Sequence, residues 1–119
     1  MNIKLHKNDL PNNIDFGKSV AIDTEAMGLN HTRDRLCLVQ LSGGNGICHL
    51  VQIQNNEIKP KNLIKLLKNK KILKIFHFAR FDVGILKHTY NINIENIYCT
   101  KIASKLTRTF PDKHGYKDL

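Results

Sequence analysis

The stretch that decides the fold is Val20-Ala21-Ile22-Asp23-Thr24-Glu25-Ala26-Met27-Gly28-Leu29, in which an apolar run ends in two carboxylates and a glycine. Side chains alternate faces along a strand, so Asp23 and Glu25 point the same way, about 6–7 Å apart. A buried central strand does not normally end in two acids, because like charges there repel and lose hydration. A divalent metal such as Mg²⁺, which takes carboxylate oxygens, is the simplest candidate to lie between them. An Asp-x-Glu triplet also appears by chance in about two of five chains of this length.

The composition predicts a single globular domain without membrane contact. The chain has 119 residues, of which 41% are hydrophobic and 24% charged, which is typical of a folded protein rather than a disordered one. No stretch approaches the roughly 20 apolar residues that cross a bilayer, and Met1–Pro11 does not have the pattern of a signal peptide. We therefore expect a cytoplasmic location. The three cysteines form no Cys-x-x-Cys pair, so a zinc site using Cys37, Cys48 and His49 is disfavoured.

The charge of the chain favours a polyanionic partner. Lys and Arg number 19 against 10 Asp and Glu, which gives a net charge of +9. Phosphate neutralisation by Lys and Arg supplies much of the non-specific affinity for nucleic acid. A second explanation stays open, because the chain is rich in Lys, Asn and Ile, whose codons are rich in A and T. For one set of lysines the sequence favours a solvated helix face over an RNA track: Lys59, Lys61, Lys65, Lys68, Lys70, Lys71 and Lys74.

The hydrophobic pattern predicts an α/β protein with a mixed five-stranded sheet and flanking helices. An edge strand or arm precedes Gly17, and the glycine-dense turn 43–46 joins two of the strands as a hairpin. The predicted strands are Lys18–Glu25, Arg35–Ser42, Ile47–Ile53, Lys71–Phe76 and Ile94–Cys99. The predicted helices are one starting near Pro60, then Ala79–Tyr90, Lys101–Leu106 after Thr100 as the N-cap, and the start of another at His114–Leu119.

A second acid stands in the stretch Phe76-His77-Phe78-Ala79-Arg80-Phe81-Asp82. On a helical wheel Asp82 falls between Phe78 and Leu86, inside the apolar arc. A carboxylate there needs a partner, because burying an unpaired charge is very costly. The alternative is an Asp in the first turn that interacts with free backbone N–H groups.

These two acidic stretches resemble known exonuclease motifs. Asp23-Thr24-Glu25, followed after a hairpin and a helix by His77-Phe78-Ala79-Arg80-Phe81-Asp82, resembles the first two motifs of the ribonuclease D family. These proteins are 3′–5′ exonucleases of the DEDD superfamily with a ribonuclease H-like fold. The similarity extends through Arg33–Gln40, Tyr98–Ser104, Arg108–Phe110 and His114–Leu119. Because it covers nearly the whole chain, we interpret residues 1–119 as one exonuclease domain.

The resemblance implies roles for the three carboxylates. Asp23 and Glu25 would be metal ligands, with Asp23 bridging two Mg²⁺ or Mn²⁺ ions and Asp82 acting on the second ion through water. In such a site one ion activates the attacking water and the other stabilises the leaving 3′ oxygen. The implied reaction releases 5′-mononucleotides from single-stranded 3′ ends of RNA, with DNA as an alternative substrate.

The resemblance also implies residues that contact the terminal nucleotide: Thr24, Met27, Gly28, His77 and Phe78. His77 and Phe78 would border the pocket for that nucleotide, and Phe78 could stack on a base. Ordinary core packing is an equal alternative for Phe78. Thr24, Met27 and Gly28 serve equally well as strand-end and turn residues.

The chain departs from the family pattern in one respect. Family members carry a third motif, a Tyr four residues before an Asp on a later helix, and Tyr116 and Asp118 are only two apart. We therefore expect a C-terminally truncated domain with an incomplete metal site. Its exonuclease activity would be impaired unless a C-terminal fragment were supplied in trans. The alternatives are a non-catalytic remnant that binds RNA weakly through its basic surface, and a small basic interaction module, which the extent of the resemblance disfavours.

Overall fold

A mixed sheet of six strands organises the described part of the chain. The computed structural model describes residues 2–28, 30, 34–77 and 79–100. In chain order its elements are β1 (Asn2–Lys7), β2 (Ser19–Ala26), β3 (Leu36–Ser42), β4 (Ile47–Gln52), α1 (Lys61–Lys68), β5 (Leu73–Phe76), α2 (Ala79–Tyr90) and β6 (Ile97–Cys99). The helices predicted at Lys101–Leu106 and His114–Leu119 lie outside the described residues. Neither α1 nor α2 is long and apolar enough to cross a membrane.

The strand order is β1-β4-β3-β2-β5-β6. Strands β2, β3 and β4 pair antiparallel, as the predicted hairpin requires, whereas β2–β5, β5–β6 and β1–β4 are parallel. This confirms the predicted mixed α/β sheet. It has one strand more than the five expected, because the N-terminal segment, predicted as an edge strand or arm, pairs along β4 from Asn2 opposite Ile47.

The two faces of the sheet differ in what covers them. Along β2, Val20, Ile22 and Thr24 are buried, whereas Ala21 and Glu25 are exposed and Asp23 is half-buried. The buried leucines of α1 and the buried Ile85 and Leu86 of α2 share one core cluster with Val20 and Ile22. We call the side of Val20, Ile22 and Thr24 the covered face and the side of Ala21, Asp23 and Glu25 the open face.

The open face is apolar towards both edges of the sheet. The strand registers place one row of side chains across all six strands on this face: Ile3, Cys48, Ser42, Ala21, Ile75 and Tyr98. Near the β1 edge, Ile3 and Leu5 are 61% and 62% exposed. Acidic side chains therefore lie in the middle of this face, with exposed apolar side chains on either side.

Helix α1 is held by a partner distant in sequence. It begins after Pro60, as predicted, but Pro60 has no side chain that can accept a hydrogen bond at the helix start. The carboxylate of Asp9 takes that role, because it accepts hydrogen bonds from the backbone N–H groups of Asn62 at 3.0 Å and Leu63 at 2.9 Å. This contact fixes the N-terminal segment to the helix layer over the covered face.

The interpretation of Lys74 as a solvated lysine is wrong. Lys74 lies in β5 opposite Val20, so its side chain points to the covered face and is fully buried. Its ammonium group donates hydrogen bonds to the backbone carbonyls of Asn69 and of Glu95, the latter at 2.8 Å. Burial lowers the pKa of Lys74, and the negative charge of Glu95 partly offsets that effect. The lysine thereby joins the loops before β5 and before β6.

Candidate active site

The candidate site lies at the carboxyl ends of three neighbouring parallel strands. The last parallel pairs are Ile22 with Phe76 and Phe76 with Cys99. The next residues of the three strands, Asp23, His77 and Thr100, therefore stand side by side at one edge of the sheet. In α/β proteins this edge is where ligands usually bind.

Asp23 and Glu25 share the open face, as the alternation along β2 predicts. Asp23 is half-buried and Glu25 is exposed, and their partners on β3 are Gln40 and Leu38. One carboxylate oxygen of Asp23 accepts a hydrogen bond from the backbone N–H of Thr24 at 3.1 Å. Both acids are therefore accessible from solvent while their backbone is fixed in a central strand.

Asp82 approaches β2 from the helix side. It lies in the first turn of α2, and its side chain is only 3% exposed. The Thr24 hydroxyl, on the covered face, donates a hydrogen bond of 2.5 Å to the Asp82 carboxylate. Thr24 thus connects the strand that carries Asp23 and Glu25 to the third acid. No pattern in the sequence predicts this bond.

The environment of Asp82 raises its pKa to about 6. Burial is the main cause, and the negative charges of Asp23 and Glu25 add to it, whereas the hydrogen bond from Thr24 acts in the opposite direction. The three carboxylates therefore interact electrostatically across β2. When all three are ionised they repel one another, which a bound cation would relieve.

The donor chemistry fits a hard divalent cation, because all three groups offer carboxylate oxygens. Within residues 2–28, 30, 34–77 and 79–100, however, no three His, Cys, Asp or Glu side chains are already arranged to hold a metal ion. Asp23 and Glu25 lie on one side of the strand, and Asp82 reaches it from the other. Metal binding by all three residues stays a prediction.

His77 has a well-defined environment at the end of β5. Its side chain is half-buried, and its Nδ1 lies 3.0 Å from the hydroxyl oxygen of Thr100. The Cys99 thiol donates a hydrogen bond of 3.5 Å to the His77 carbonyl. Thr100, predicted as a helix N-cap, thus contacts the candidate site. Phe78 lies outside the described residues, so base stacking and core packing both remain open for it.

Gly28 lies close to the side chain of Asp34. A Cβ atom at this position would lie 2.3 Å from Oδ2 of Asp34, which accepts a hydrogen bond from the Asn30 N–H at 2.9 Å. A side chain at position 28 would therefore require the Asp34 carboxylate to move. Met27 beside it is exposed, whereas Thr24 is buried. Nucleotide contacts by Thr24, Met27, Gly28 and His77 stay predictions.

Comparisons with known proteins agree on one family. A family described as 3′–5′ exonuclease matches residues 6–119. The ribonuclease D of Bartonella henselae is 33% identical over 107 residues, which are 90% of this chain and 25% of that protein. Structures of Brucella melitensis NrnC bound to pGG and with bound Mg²⁺ are 52% identical, with a TM-score of 0.94. They match 99% of this chain and 58% and 59% of the NrnC chain.

The matched relatives are longer than this chain. It spans 25% of the length of the Bartonella ribonuclease D and less than two thirds of the NrnC chain. The NrnC structures match 99% of this chain, a share that takes in the sheet and both helices.

Proposed function

Because this chain belongs to the 3′–5′ exonuclease family that includes ribonuclease D, we propose that it removes nucleotides from the 3′ end of RNA at the carboxylates beside β2. The ribonuclease H-like fold expected from the sequence is confirmed, since the matching structures are exonucleases of that fold. The observation that carries the proposal is the position of Asp23, Glu25 and Asp82. Asp23 and Glu25 stand at the end of β2, and the Thr24 hydroxyl between them donates a hydrogen bond to Asp82 at the start of α2.

A divalent metal such as Mg²⁺ or Mn²⁺ would be held by Asp23, Glu25 and Asp82. When bound, such an ion lowers the pKa of an attacking water and stabilises the leaving 3′ oxygen. The NrnC relative with bound Mg²⁺ supports a divalent metal here. The pKa of Asp82 is about 6 without a cation, and a nearby cation would lower it by favouring the ionised carboxylate.

The chain's own groups position the reactants. The rigid backbone of β2 orients Asp23 and Glu25 on the open face, where the 3′ end of a strand has access. The Thr24 hydroxyl holds the Asp82 carboxylate in one orientation. His77, in contact with the Thr100 hydroxyl, lies in the row next to Asp23 and would border the terminal nucleotide.

A third motif completes the site in this proposal. The Tyr-x-x-x-Asp motif implied by the family resemblance does not occur among the 119 residues. We expect little exonuclease activity from these residues alone and recovery when a segment carrying that motif is supplied in trans. Loss of one positioned group in such a site commonly costs about a hundredfold in rate.

The experiment follows the shortening of 5′-labelled RNA, and of pGG, in Mg²⁺ with and without the corresponding C-terminal segment of NrnC. Asp23→Asn and Glu25→Gln should each abolish the recovered activity. Asp15→Asn and Glu57→Gln are the matched controls, because these carboxylates are exposed and lie in other loops. Trimming that survives Asp23→Asn would place the site elsewhere and contradict the proposal.

A non-catalytic RNA-binding remnant is the second candidate. It is favoured by the net charge of +9 and by the lack, among the described residues, of three metal-binding side chains already in place. Salt-sensitive RNA binding with no trimming, even with the C-terminal segment added, would decide for this alternative.

A further inference from the structure

Four lysines surround one isoleucine on the outer side of α1. Lys59, Lys61, Lys65 and Lys68 line a shallow, open depression of about 570 Å³ together with Ile64 and Asn69. All four lysines are exposed, whereas Ile64 is half-buried and packs against the core. We call Lys59, Lys61, Lys65 and Lys68 the lysine stripe. The depression gives it an apolar floor between ammonium groups.

Nothing in the described fold neutralises the lysine stripe. Helix α1 has no acidic residue in its first turn, where the helix dipole disfavours the cation at Lys61. Lys61 and Lys65 are four residues apart, so like charges face each other where a helix would gain from an opposite pair. None of the four forms an ion pair within the part of the chain that the structure describes. Lys65 and Lys68 lie in the last turn of α1, where the helix dipole favours cations, so only Lys61 is placed unfavourably.

We infer that the lysine stripe binds the sugar–phosphate backbone of single-stranded RNA upstream of its 3′ end, with Ile64 against a ribose or base. Residues 61, 65 and 68 rise along one side of the helix in steps of about 6 and 4.5 Å, so their charges form a line. A line of cations suits repeated phosphates, and neutralising them supplies affinity. The inference rests on the proposed function in one respect, namely that the bound strand is the substrate.

The sequence alone favoured a solvated face for these lysines. The structure adds the depression around Ile64 and the lack of carboxylate partners among residues 2–28, 30, 34–77 and 79–100. RNA is favoured over an acidic protein because the chain belongs to a nuclease family and carries a net charge of +9.

The position of α1 determines how long an RNA must be to contact both the lysine stripe and the candidate site. The helix packs on the covered face through Leu63 and Leu67, whereas Asp23 and Glu25 lie on the open face. A strand whose 3′ end lies at Asp23 must pass around an edge of the sheet to reach α1. Only longer RNAs can therefore contact both places.

The test measures RNA binding by fluorescence anisotropy in EDTA, on the whole 119-residue chain, so that no hydrolysis occurs. The stripe variant carries Lys61→Gln, Lys65→Gln and Lys68→Gln. The control variant carries Lys7→Gln, Lys18→Gln and Lys87→Gln, which removes the same charge from exposed positions elsewhere. Circular dichroism establishes that both variants fold like the wild type. Probes are RNAs of about 5 and about 20 nucleotides over a range of salt concentrations.

We expect the wild type to bind the longer RNA more tightly, and the stripe variant to lose most of that gain. The slope of log K against log salt should fall by about 2 in the stripe variant, since each lost phosphate contact on a single strand removes about 0.7. The control variant should change this slope much less.

Three results would overturn the inference. Equal losses in both variants would show a response to net charge alone, and no loss in the stripe variant would show no contact there. Competition by poly-glutamate as strong as by RNA would indicate an acidic protein partner. Failure of the proposed function is distinguishable, because it would remove RNA trimming and leave the binding difference between the two variants in place.

Discussion

The covered and open faces of the sheet are built from the same strands but have different roles. On the covered face, Val20, Ile22 and Phe76 are almost fully buried beneath the helix layer. On the open face, their neighbours Ala21, Asp23 and Ile75 reach solvent to varying degrees. Because successive side chains alternate between the two faces, every second residue of β2 packs in the core. The residues between them lie on the face that carries the candidate site. Substitutions at adjacent positions should therefore separate stability from function.

The difference between the covered and open faces is tested most strongly by substituting the adjacent residues Phe76 and Ile75 in β5. Phe76→Ala should lower the free energy of unfolding by about 3–5 kcal/mol, because it leaves a cavity in the core. Ile75→Ala, on the open face, should cost about 1–2 kcal/mol, because its side chain is only partly buried. Urea unfolding of both variants measures the difference. Equal costs would mean that the open face is covered in solution.

The second test concerns Asp82, where the two faces meet. Its folded-state pKa of about 6 lies above its ordinary value of 3.8, so the folded protein holds this proton more tightly than the unfolded chain does. The contribution of this proton to the free energy of unfolding is fully present below about pH 3.8 and is lost as the pH rises through about 6. Above that pH the ionised, buried carboxylate costs about 3 kcal/mol at most.

Asp82→Asn should therefore stabilise the metal-free protein at about pH 7.5, by up to about 3 kcal/mol, and much less near pH 4. Asparagine keeps an oxygen that can accept the hydrogen bond from the Thr24 hydroxyl. Urea midpoints at several pH values in EDTA provide the measurement, with the exposed Glu57→Gln as control. A destabilising effect at every pH would show that the Asp82 side chain is needed for packing, and that its charge does not destabilise the folded protein.

Much of the fold follows from local pattern. The apolar spacing of α2 gave its bounds, Ala79–Tyr90, and the glycine-dense turn gave the β3–β4 hairpin. The contacts that the sequence could not predict join residues far apart in the chain. Asp9 caps α1 from more than 50 positions away, and Lys74 is buried because two loops offer it carbonyls. Neither residue differs locally from a solvated Asp or Lys.

The candidate site also has features that the local sequence pattern predicts and contacts that it does not. Alternation along β2 predicted that Asp23 and Glu25 share a face, and the helical wheel predicted that Asp82 is buried. The bond between Thr24 and Asp82 was missed, because the sequence cannot show which strand residue a helix start will meet. The contact of His77 with Thr100 was missed because it depends on the register of β5 and β6.

His49, on the covered face, should make the stability of the protein depend on pH in the opposite direction to Asp82. It is buried against Phe16, and its Nδ1 lies 2.9 Å from Nε2 of His6. Burial lowers the pKa of His49 below 6.5, and the positive charges of His6 and Lys4 lower it further. The unfolded chain therefore binds this proton more readily, and stability falls as the pH drops below about 6.5.

His49→Leu should reduce the loss of stability between about pH 7.5 and pH 5.5, and the exposed His88→Leu should leave that loss unchanged. Urea midpoints at the two pH values measure both effects. If the two variants behaved alike, the acid sensitivity would arise elsewhere than between β1 and β4.

The smallest expected effect on stability lies at the β1 edge of the open face. Leu5 is 62% exposed and pairs with Leu50, so Leu5→Glu should change the free energy of unfolding by about 0.5 kcal/mol or less. The same change should lower light scattering at high protein concentration, because exposed apolar surface promotes association. Asn2→Glu is the matched control, since it adds the same charge to the same strand at a residue that points the other way. Equal scattering by the two variants would mean that net charge limits association. A stability loss of several kcal/mol for Leu5→Glu alone would mean that Leu5 is buried in solution, and the distinction between covered and open faces would then fail at this edge.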